Sequence, residues 1–227
     1  MSYPIEKSLL NIYQADLYKS LFIIAHESGN PNNVGTNSLN NEIAYMKRNY
    51  SNAFVSHWVG AGGKIVQIAK TGKIQWGAGP KANPYAYAQV ELARTNNRTQ
   101  FQKDYAAYVW LLRQLAQEAN LPCTLNSGTS LTSPGIKTHA WISRYLGGTD
   151  HVDPDDYLAS WGVSMTQFKK DIEAAKAPTY LLHLVVRGDT LWALSRKHHM
   201  TVAELKALNH LKSDLILIGQ VLKVKAL

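Results

Sequence analysis

The chain has 227 residues, of which 45% are hydrophobic and 18% charged, a balance that is typical of globular proteins and excludes a disordered or fibrous chain. Its formal net charge of +8 favours polyanionic partners, which include nucleic acid, acidic membranes and the anionic polymers of a cell wall. The sequence lacks the interleaved aromatic and basic residues of nucleic-acid modules and any apolar run long enough to span a membrane. We therefore expect neither nucleic-acid binding nor membrane insertion.

The first part of the chain alternates strand and helix patterns. The apolar run 21–25 predicts a buried strand that ends at His26. A helix is expected from about residue 38 to residue 47, and the glycine-rich segment 60–63 predicts a hairpin turn. The strands that flank this turn, and the next strand along the chain, are expected at 53–59, 64–70 and 87–92.

Three helices are predicted further along. Thr99 and Gln102 have capping-box spacing and predict a helix that begins after Asn97. A second helix is expected from His139 to about residue 147, and a third, capped by Ser164, is expected to end near residue 175. Because strands and helices alternate, the sequence predicts an α/β fold with a mixed central β-sheet flanked by helices.

The pattern changes after a short break near Pro178. A strand at 182–186, a helix capped by Thr190, a second helix opened by the capping box of Thr201 and Glu204, and a strand at 215–224 make a βααβ unit. The predicted domains are therefore 1–175 and 181–227, with a linker at 176–180.

The C-terminal unit resembles a LysM domain over about residues 181–225. The resemblance rests on Val186-Arg187-Gly188-Asp189-Thr190-Leu191-Trp192-Ala193-Leu194-Ser195, on segment 208–209 and on segment 215–224. LysM domains bind glycans that contain N-acetylglucosamine, such as peptidoglycan and chitin. The resemblance assigns glycan binding to two loops, which contain Gly188, Asp189, Thr190, Leu191, Leu215, Ile216, Leu217, Ile218 and Gly219.

Other roles are open for some of these residues. Asp189 and Thr190 could serve only to cap the helix, and Trp192 is expected in the core. Residues 181–227 hold seven Lys or Arg against three Asp or Glu, a net charge of +4 that suits an anionic wall.

Two histidines in the first domain lie at the ends of predicted secondary-structure elements. His26 ends a strand, His139 begins a helix, and an acidic segment follows at 149–156. A lone histidine is more often structural than a ligand, and residues this far apart in sequence are weak support for a metal site. Two histidines and a carboxylate are nevertheless a recurrent catalytic zinc set, which leaves one position for water.

The first domain resembles the type 2 N-acetylmuramoyl-L-alanine amidases, relatives of peptidoglycan-recognition proteins, over about residues 15–175. The segments that carry the resemblance occur in the family's order and are 22–26, 55–59, 75–79, 90–92, His139 and Asp153-Pro154. The resemblance implies that His26, His139 and Asp153 bind Zn²⁺. Asp150 is the nearest alternative to Asp153 as a ligand.

The resemblance also implies the catalytic residues. Some family members have a catalytic tyrosine where this chain has Ser56, whereas others use a glutamate that matches Glu91, so general acid-base catalysis is assigned to Glu91. His151 occupies the position of a lysine or threonine that stabilises the oxyanion in the family. His57 is not a ligand in the resemblance. It is expected either to line the substrate groove or to pack in the interior.

The implied reaction is hydrolysis of the amide between N-acetylmuramic acid and L-alanine. Residues 1–7 lack a basic stretch followed by an apolar one, so we expect no signal peptide. The chain then resembles a phage endolysin that is made in the host cytoplasm and released to the wall, with peptidoglycan and anionic wall polymers as its partners. Alternatives are a non-catalytic peptidoglycan-binding protein and a zinc endopeptidase of the wall peptide.

Overall fold

The computed structural model describes residues 2–174 and 180–225. The chain divides into two compact units, Met1–Ala174 and Ala175–Leu227. The predicted linker at 176–180 lies outside the described residues except for its last residue, and the predicted domain limits stay a prediction.

A six-stranded sheet forms the centre of the first unit. Four of its five strand pairs are parallel, and one pair, the hairpin around residues 61–63, is antiparallel, so the predicted mixed sheet is confirmed. The order across the sheet is β1-β4-β3-β5-β2-β6. The strands are β1 (Ile5–Lys7), β2 (Phe22–Glu27), β3 (His57–Gly60), β4 (Lys64–Gln67), β5 (Ala86–Leu92) and β6 (Gly135–Thr138).

Helices cover both faces of this sheet, as predicted. Successive residues of β2 point to opposite faces and all are buried, because one face packs against the helix at 98–118 and the other against the helix at 139–145. The helix at 38–48 covers the neighbouring part of the sheet at Trp58 and Val66. The helices are α1 (Ser38–Arg48), α2 (Arg98–Glu118), α3 (His139–Tyr145), α4 (Asp155–Ser160) and α5 (Met165–Glu173), with one 3₁₀ turn at Asn83–Tyr85.

The cap of α2 differs from the sequence prediction. The helix begins after Asn97, as predicted, but its cap is Asn97 in place of Thr99, because the Asn97 side chain accepts a hydrogen bond from the Gln100 backbone N–H. The Ser164 cap of α5 is confirmed, since its hydroxyl accepts from the Gln167 N–H. Three elements were not predicted, namely β1, β6 and α4.

The second unit has the predicted βααβ order. The capping box of Thr201 and Glu204 is confirmed at the second of its helices. The last strand begins at Val221, so residues 215–220 form a loop where a strand was expected. The elements are β7 (Tyr180–Leu184), α6 (Leu191–Lys197), α7 (Val202–Leu208) and β8 (Val221–Lys225).

The expectation that Trp192 lies in the core was wrong. Its side chain is 68% exposed, whereas Leu191 and Leu194 are buried at 3% and 2%. In a helix each residue turns about 100° from the last, so Leu191 and Leu194 share the inner face and Trp192 points away from it.

Within residues 2–174 and 180–225, every helix is too short or too polar to cross a lipid bilayer.

A buried carboxyl group holds the hairpin turn against α2. Oδ1 of Asp104 accepts from the backbone N–H groups of Gly62 and Gly63, at 2.7 and 2.6 Å. Burial raises the pKa of Asp104 to about 6. A carboxyl whose pKa is higher in the folded than in the unfolded state destabilises the fold above the folded pKa, and this effect vanishes below the unfolded pKa.

We predict that Asp104→Asn makes stability less dependent on pH, because Asn keeps the acceptor oxygen and carries no charge. The free energy of unfolding of the variant relative to wild type should rise by roughly 1–3 kcal/mol between pH 4 and pH 7. Urea denaturation at both pH values measures this, with the exposed Asp156→Asn as the control. An equal difference at the two pH values would contradict the prediction.

Candidate functional site

Three side chains from separate parts of the chain meet at one edge of the central sheet. β2 and β6 are parallel neighbours, with Ala25 opposite Thr138. His26 in β2 and His139, which directly follows β6, therefore lie at the same edge of the sheet. Asp153 lies in the loop before α4, and its backbone carbonyl accepts from the Ala140 N–H at 3.1 Å. The fold thus brings together residues that are up to 127 positions apart.

The donor atoms of this group lie within bonding reach of a shared ion. His26 Nδ1 is 3.0 Å from His139 Nδ1 and 3.2 Å from Asp153 Oδ2, and His139 Nδ1 is 3.0 Å from Asp153 Oδ1. The two histidines are buried, and the Asp153 side chain is 11% exposed. Within the described residues, His26, His139 and Asp153 form a group that could hold a metal ion.

The outer partners of the histidines leave their inner nitrogens free to bind a cation. His26 Nε2 lies 3.1 Å from Gln89 Oε1, a carbonyl that only accepts, so this nitrogen carries the proton and a neutral ring keeps its lone pair on Nδ1. His139 Nε2 lies 2.9 Å from the Thr149 hydroxyl. The His26 Nδ1 lone pair faces a second imidazole nitrogen and a carboxylate, and a metal ion between the three groups would accept a lone pair from each of them.

The pKa shifts of His139 and Asp153 favour the protonation states that bind a metal ion. Burial lowers the pKa of His139 and so favours the neutral ring that binds metals. Burial acts to raise the pKa of Asp153, but its interactions with the His139 and His26 rings outweigh burial and hold this pKa below its usual range. A carboxylate beside neutral imidazoles is the protonation state that metal ligation requires.

Glu91 lies next to this group on β5. In the register of the parallel β2–β5 pair, Glu91 is the partner of His26, so the two side chains share a face of the sheet. Its Oε2 is buried and has no hydrogen-bond partner among the described residues. Burial raises the pKa of Glu91, and the negative charge of Asp153 raises it further. A carboxyl in such surroundings holds its proton to a higher pH than an exposed carboxyl does.

His151 lies at the mouth of the same site. Its side chain is 66% exposed, and its ring stacks on His139 with centroids 4.7 Å apart and planes inclined by 27°. Its Nδ1 is 3.7 Å from Asp153 Oδ1. The cavity has a volume of about 150 Å³, and besides Glu91 and His151 it is lined by the three potential ligands, Glu27, Ser28, Gly29, Met46, Ala53, Val55 and Gly77.

Two residues considered in the sequence lie apart from the site. His57 is buried in β3, where its Nδ1 lies 2.9 Å from the Ser56 hydroxyl and burial lowers its pKa to about 3. It is a neutral packing residue, one of the two roles expected for it. Asp150 is exposed and does not belong to the group of His26, His139 and Asp153.

Several residues that support the site were not found from the sequence. Gln89 and Thr149 hold the outer nitrogens of the two histidines. Arg94 pairs with both carboxylate oxygens of Glu27, at 2.5 and 2.7 Å, and the Glu27 N–H donates to Asp153. Gln89 could have been noticed in the sequence, because it is a polar residue two positions before Glu91 in an otherwise apolar strand.

The predicted glycan loops of the second unit lie close together at the ends of its strands. The Gly219 N–H donates to the Val185 carbonyl at 2.8 Å, and Asp189 accepts from the Val186 N–H at 2.9 Å. Leu217 and Ile218 are exposed at 64% and 71%. The predicted glycan-binding residue Leu191 is buried and packs in the core of the second unit.

Comparison with known proteins gives two family matches. Residues 17–156 match the model described as N-acetylmuramoyl-L-alanine amidase, and residues 183–225 match the LysM domain. The chain is 46% identical over 173 residues to a protein named Endolysin from Listeria phage A511, covering 76% of this chain and 50% of that relative. It is 40% identical over 153 residues to the Lytic amidase of Streptococcus pneumoniae phage HB-3, covering 66% of this chain and 46% of that relative.

A solved structure shares the fold of the first unit. The crystal structure of Staphylococcus aureus hydrolase AmiA in complex with its ligand is 30% identical, with a TM-score of 0.67, and the match covers 76% of this chain and 83% of that one. The chain spans about half the length of the two phage relatives.

We predict that Asp153→Ala abolishes tight zinc binding, because it removes one of three donors and leaves two nitrogens without the carboxylate. Metal analysis of the purified protein after dialysis against Zn²⁺ should fall from one ion per chain to nearly none. Asp150→Ala is the matched control and should keep its metal. Full zinc content in the Asp153 variant, or loss of zinc from the Asp150 variant, would contradict the assignment of Asp153 as the ligand in place of Asp150.

Proposed function

The chain belongs to the N-acetylmuramoyl-L-alanine amidase family, and from this premise we propose that it hydrolyses the amide between N-acetylmuramic acid and L-alanine in peptidoglycan, with zinc as its cofactor. The observation that carries the proposal is the buried group of His26, His139 and Asp153, which shares one cavity with Glu91 and His151. We further propose that the protein acts as a phage endolysin, on the strength of its similarity to phage proteins named Endolysin and Lytic amidase.

The donor set fits zinc better than magnesium or calcium. Two imidazole nitrogens and one carboxylate oxygen are a recurrent catalytic zinc set, whereas hard cations prefer oxygen ligands alone. His26, His139 and Asp153 would hold the ion and leave one position open toward the cavity. A bound zinc ion supplies a Lewis acid that polarises the amide carbonyl and makes water acidic enough to react near neutral pH.

Glu91 serves as the general acid and base. Its unpartnered oxygen and raised pKa suit it to take a proton from the attacking water and to return that proton to the departing amine. The C–N bond then breaks, and the products are a lactyl carboxylate and a peptide whose amino terminus is L-alanine. Gln89 and Thr149 keep the two histidine rings oriented throughout.

His151 stabilises the charge that develops on the carbonyl oxygen. Its ring stacks on His139 at the mouth of the cavity, where it is both fixed in orientation and open to substrate. A hydrogen-bond donor placed at the developing oxyanion stabilises the transition state more than it stabilises the bound substrate.

The second unit holds the enzyme on its insoluble substrate. We assign N-acetylglucosamine-containing glycan to its two loops, which contain Gly188, Asp189 and Thr190 on one side and 215–219 on the other. Its net charge of +4 over residues 181–227 adds attraction to anionic wall polymers. We propose domain limits of 1–175 and 181–227 on the basis of the two compact units and the two family matches.

We predict that Glu91→Gln keeps zinc and fold but lowers the rate of hydrolysis by about 10²-fold or more, the usual scale for loss of a general base. Release of peptides that begin with L-alanine from purified wall, measured by mass spectrometry, is the assay. Products with a different amino terminus would identify an endopeptidase, and wild-type protein that binds zinc without releasing peptide would indicate a binding protein. Near-normal turnover by the variant would remove Glu91 from the mechanism.

We predict that the double substitution Leu217→Ser and Ile218→Ser weakens binding to insoluble wall and lysis of whole cells, while hydrolysis of soluble muramoyl peptides stays unchanged. Tethering raises the local concentration of enzyme only when the substrate is part of the wall. Leu182→Ser is the matched control, since Leu182 is 73% exposed in the second unit and lies outside the predicted loops. An equal loss in the control would point to general apolar adhesion.

A further inference from the structure

A groove lined by aromatic side chains lies beside the metal cavity in the first unit. It has a volume of about 500 Å³, and its walls include Tyr13, Tyr50 and Trp76, with Asn11 and Ile74 between them. The three aromatic side chains are exposed at 87%, 40% and 43%. We call this feature the aromatic groove; none of the described residues that line it carries a charge.

Hydrogen bonds hold the aromatic groove open in advance of any ligand. The Gln14 side chain ties the segment that carries Tyr13 to the chain opposite, donating to the Ile74 carbonyl at 3.2 Å and accepting from the Lys70 N–H at 2.9 Å. Trp76 is fixed on the other wall, where it packs edge-on against the buried Phe54 with centroids 5.1 Å apart. Because these contacts fix the backbone beside Tyr13 and the ring of Trp76, ordering these two parts on binding would cost little conformational entropy.

The aromatic groove and the metal cavity are lined by residues that are close together in the chain. Trp76 lines the groove, and the next residue, Gly77, lines the metal cavity. Tyr50 lines the groove, while Ala53 and Val55, a few residues later, line the cavity. The aromatic groove therefore lies near the metal ligands, within the span of a substrate that has several sugar and peptide units.

A second cavity, of opposite character, also adjoins the metal cavity. It has a volume of about 540 Å³, shares Ser28 with the metal cavity, and is lined by charged and amide side chains that include Glu42, Arg48 and Asn33. The two neighbours of the metal cavity thus differ in charge, one polar and charged and the other aromatic and uncharged.

The substrate of the proposed reaction likewise has two parts that differ in charge, one on each side of its scissile bond. The stem peptide carries ionised groups and many amides, whereas the glycan is uncharged once its lactyl carboxyl is part of the amide. Sugar rings present C–H groups on their flat faces, and these pack on the electron-rich faces of aromatic rings. Uncharged Tyr13, Tyr50 and Trp76 suit the glycan better than the peptide.

We propose that the aromatic groove binds the N-acetylated glycan strand of peptidoglycan, so that the first unit has a glycan site of its own beside the metal cavity. This inference rests on the proposed function for its substrate. Its test includes a binding measurement that does not depend on hydrolysis.

The kinetic test compares two soluble substrates with the same peptide, one on a single muramoyl residue and one on a tetrasaccharide. Trp76→Ala and Tyr50→Ala should raise KM for the tetrasaccharide substrate by about tenfold, as expected for loss of a well-packed aromatic contact, and leave kcat unchanged. KM for the single-sugar substrate should change less than about twofold. Tyr18→Ala is the control, because Tyr18 is 78% exposed on the same N-terminal segment and lies outside the groove.

The binding test uses full-length protein labelled with 5-fluorotryptophan and peptide-free tetra-N-acetylglucosamine. The six tryptophan signals are assigned by single substitutions, so Trp76 in the groove and Trp192 in the second unit report separately. We expect the Trp76 signal to shift with saturation, and the shift to be lost in Tyr50→Ala but not in Tyr18→Ala.

The two tests separate this inference from the proposed function. A saturable Trp76 shift in a protein that cleaves no muramoyl peptide would uphold the glycan site and reject the amidase. Cleavage without a Trp76 shift, and with equal KM changes for the two substrates, would reject the glycan site and leave the amidase standing. A Trp76 shift caused by free stem peptide in place of the glycan would also overturn the inference.

Discussion

The site depends on one electrostatic constraint, namely that two imidazole nitrogens and a carboxylate, all on largely buried side chains, are held within 3.2 Å of one another. A cation between these groups would be stabilised by the lone pair on His26 Nδ1 and by the carboxylate. The sheet accepts this arrangement because β2, buried on both faces, fixes His26, and its neighbour β6 delivers His139 at the same edge. Covering the sheet with helices on both sides therefore positions the donors as well as burying the core.

The surrounding contacts orient each donor. Gln89 fixes the protonated nitrogen of His26, and Thr149 lies against the outer nitrogen of His139. The Asp153 loop is held from two sides, by its own backbone carbonyl at the start of α3 and by the N–H of Glu27, whose side chain Arg94 clamps. These partners lie on different elements, so the geometry of the site depends on the tertiary fold.

The sequence predicted the architecture well and the supporting contacts poorly, for physical reasons. Alternation and helical periodicity identify elements that bury a face, as in β2 and α2, but the four-residue β6 and the acidic α4 are too short or too polar to leave a pattern. His26, His139 and Asp153 were identified from the order of family motifs, since no local spacing connects residues so far apart. Trp192 was misplaced because a seven-residue helix offers too little periodicity to tell its inner face from its outer face.

The distribution of charge around the metal cavity would give the proposed substrate a direction. An amide has two different sides, and an enzyme that holds only the bond could bind it in either sense. The cavity with Glu42 and Arg48 and the groove of Tyr50 and Trp76 differ in charge, so a charged peptide and a neutral glycan would each match one of them. Reversed binding would desolvate the ionised groups of the peptide against aromatic rings without compensation, which is costly. Glu91, fixed on β5, would then meet the amine from one direction only, and this orientation allows a single carboxyl group to serve both the attacking water and the departing nitrogen.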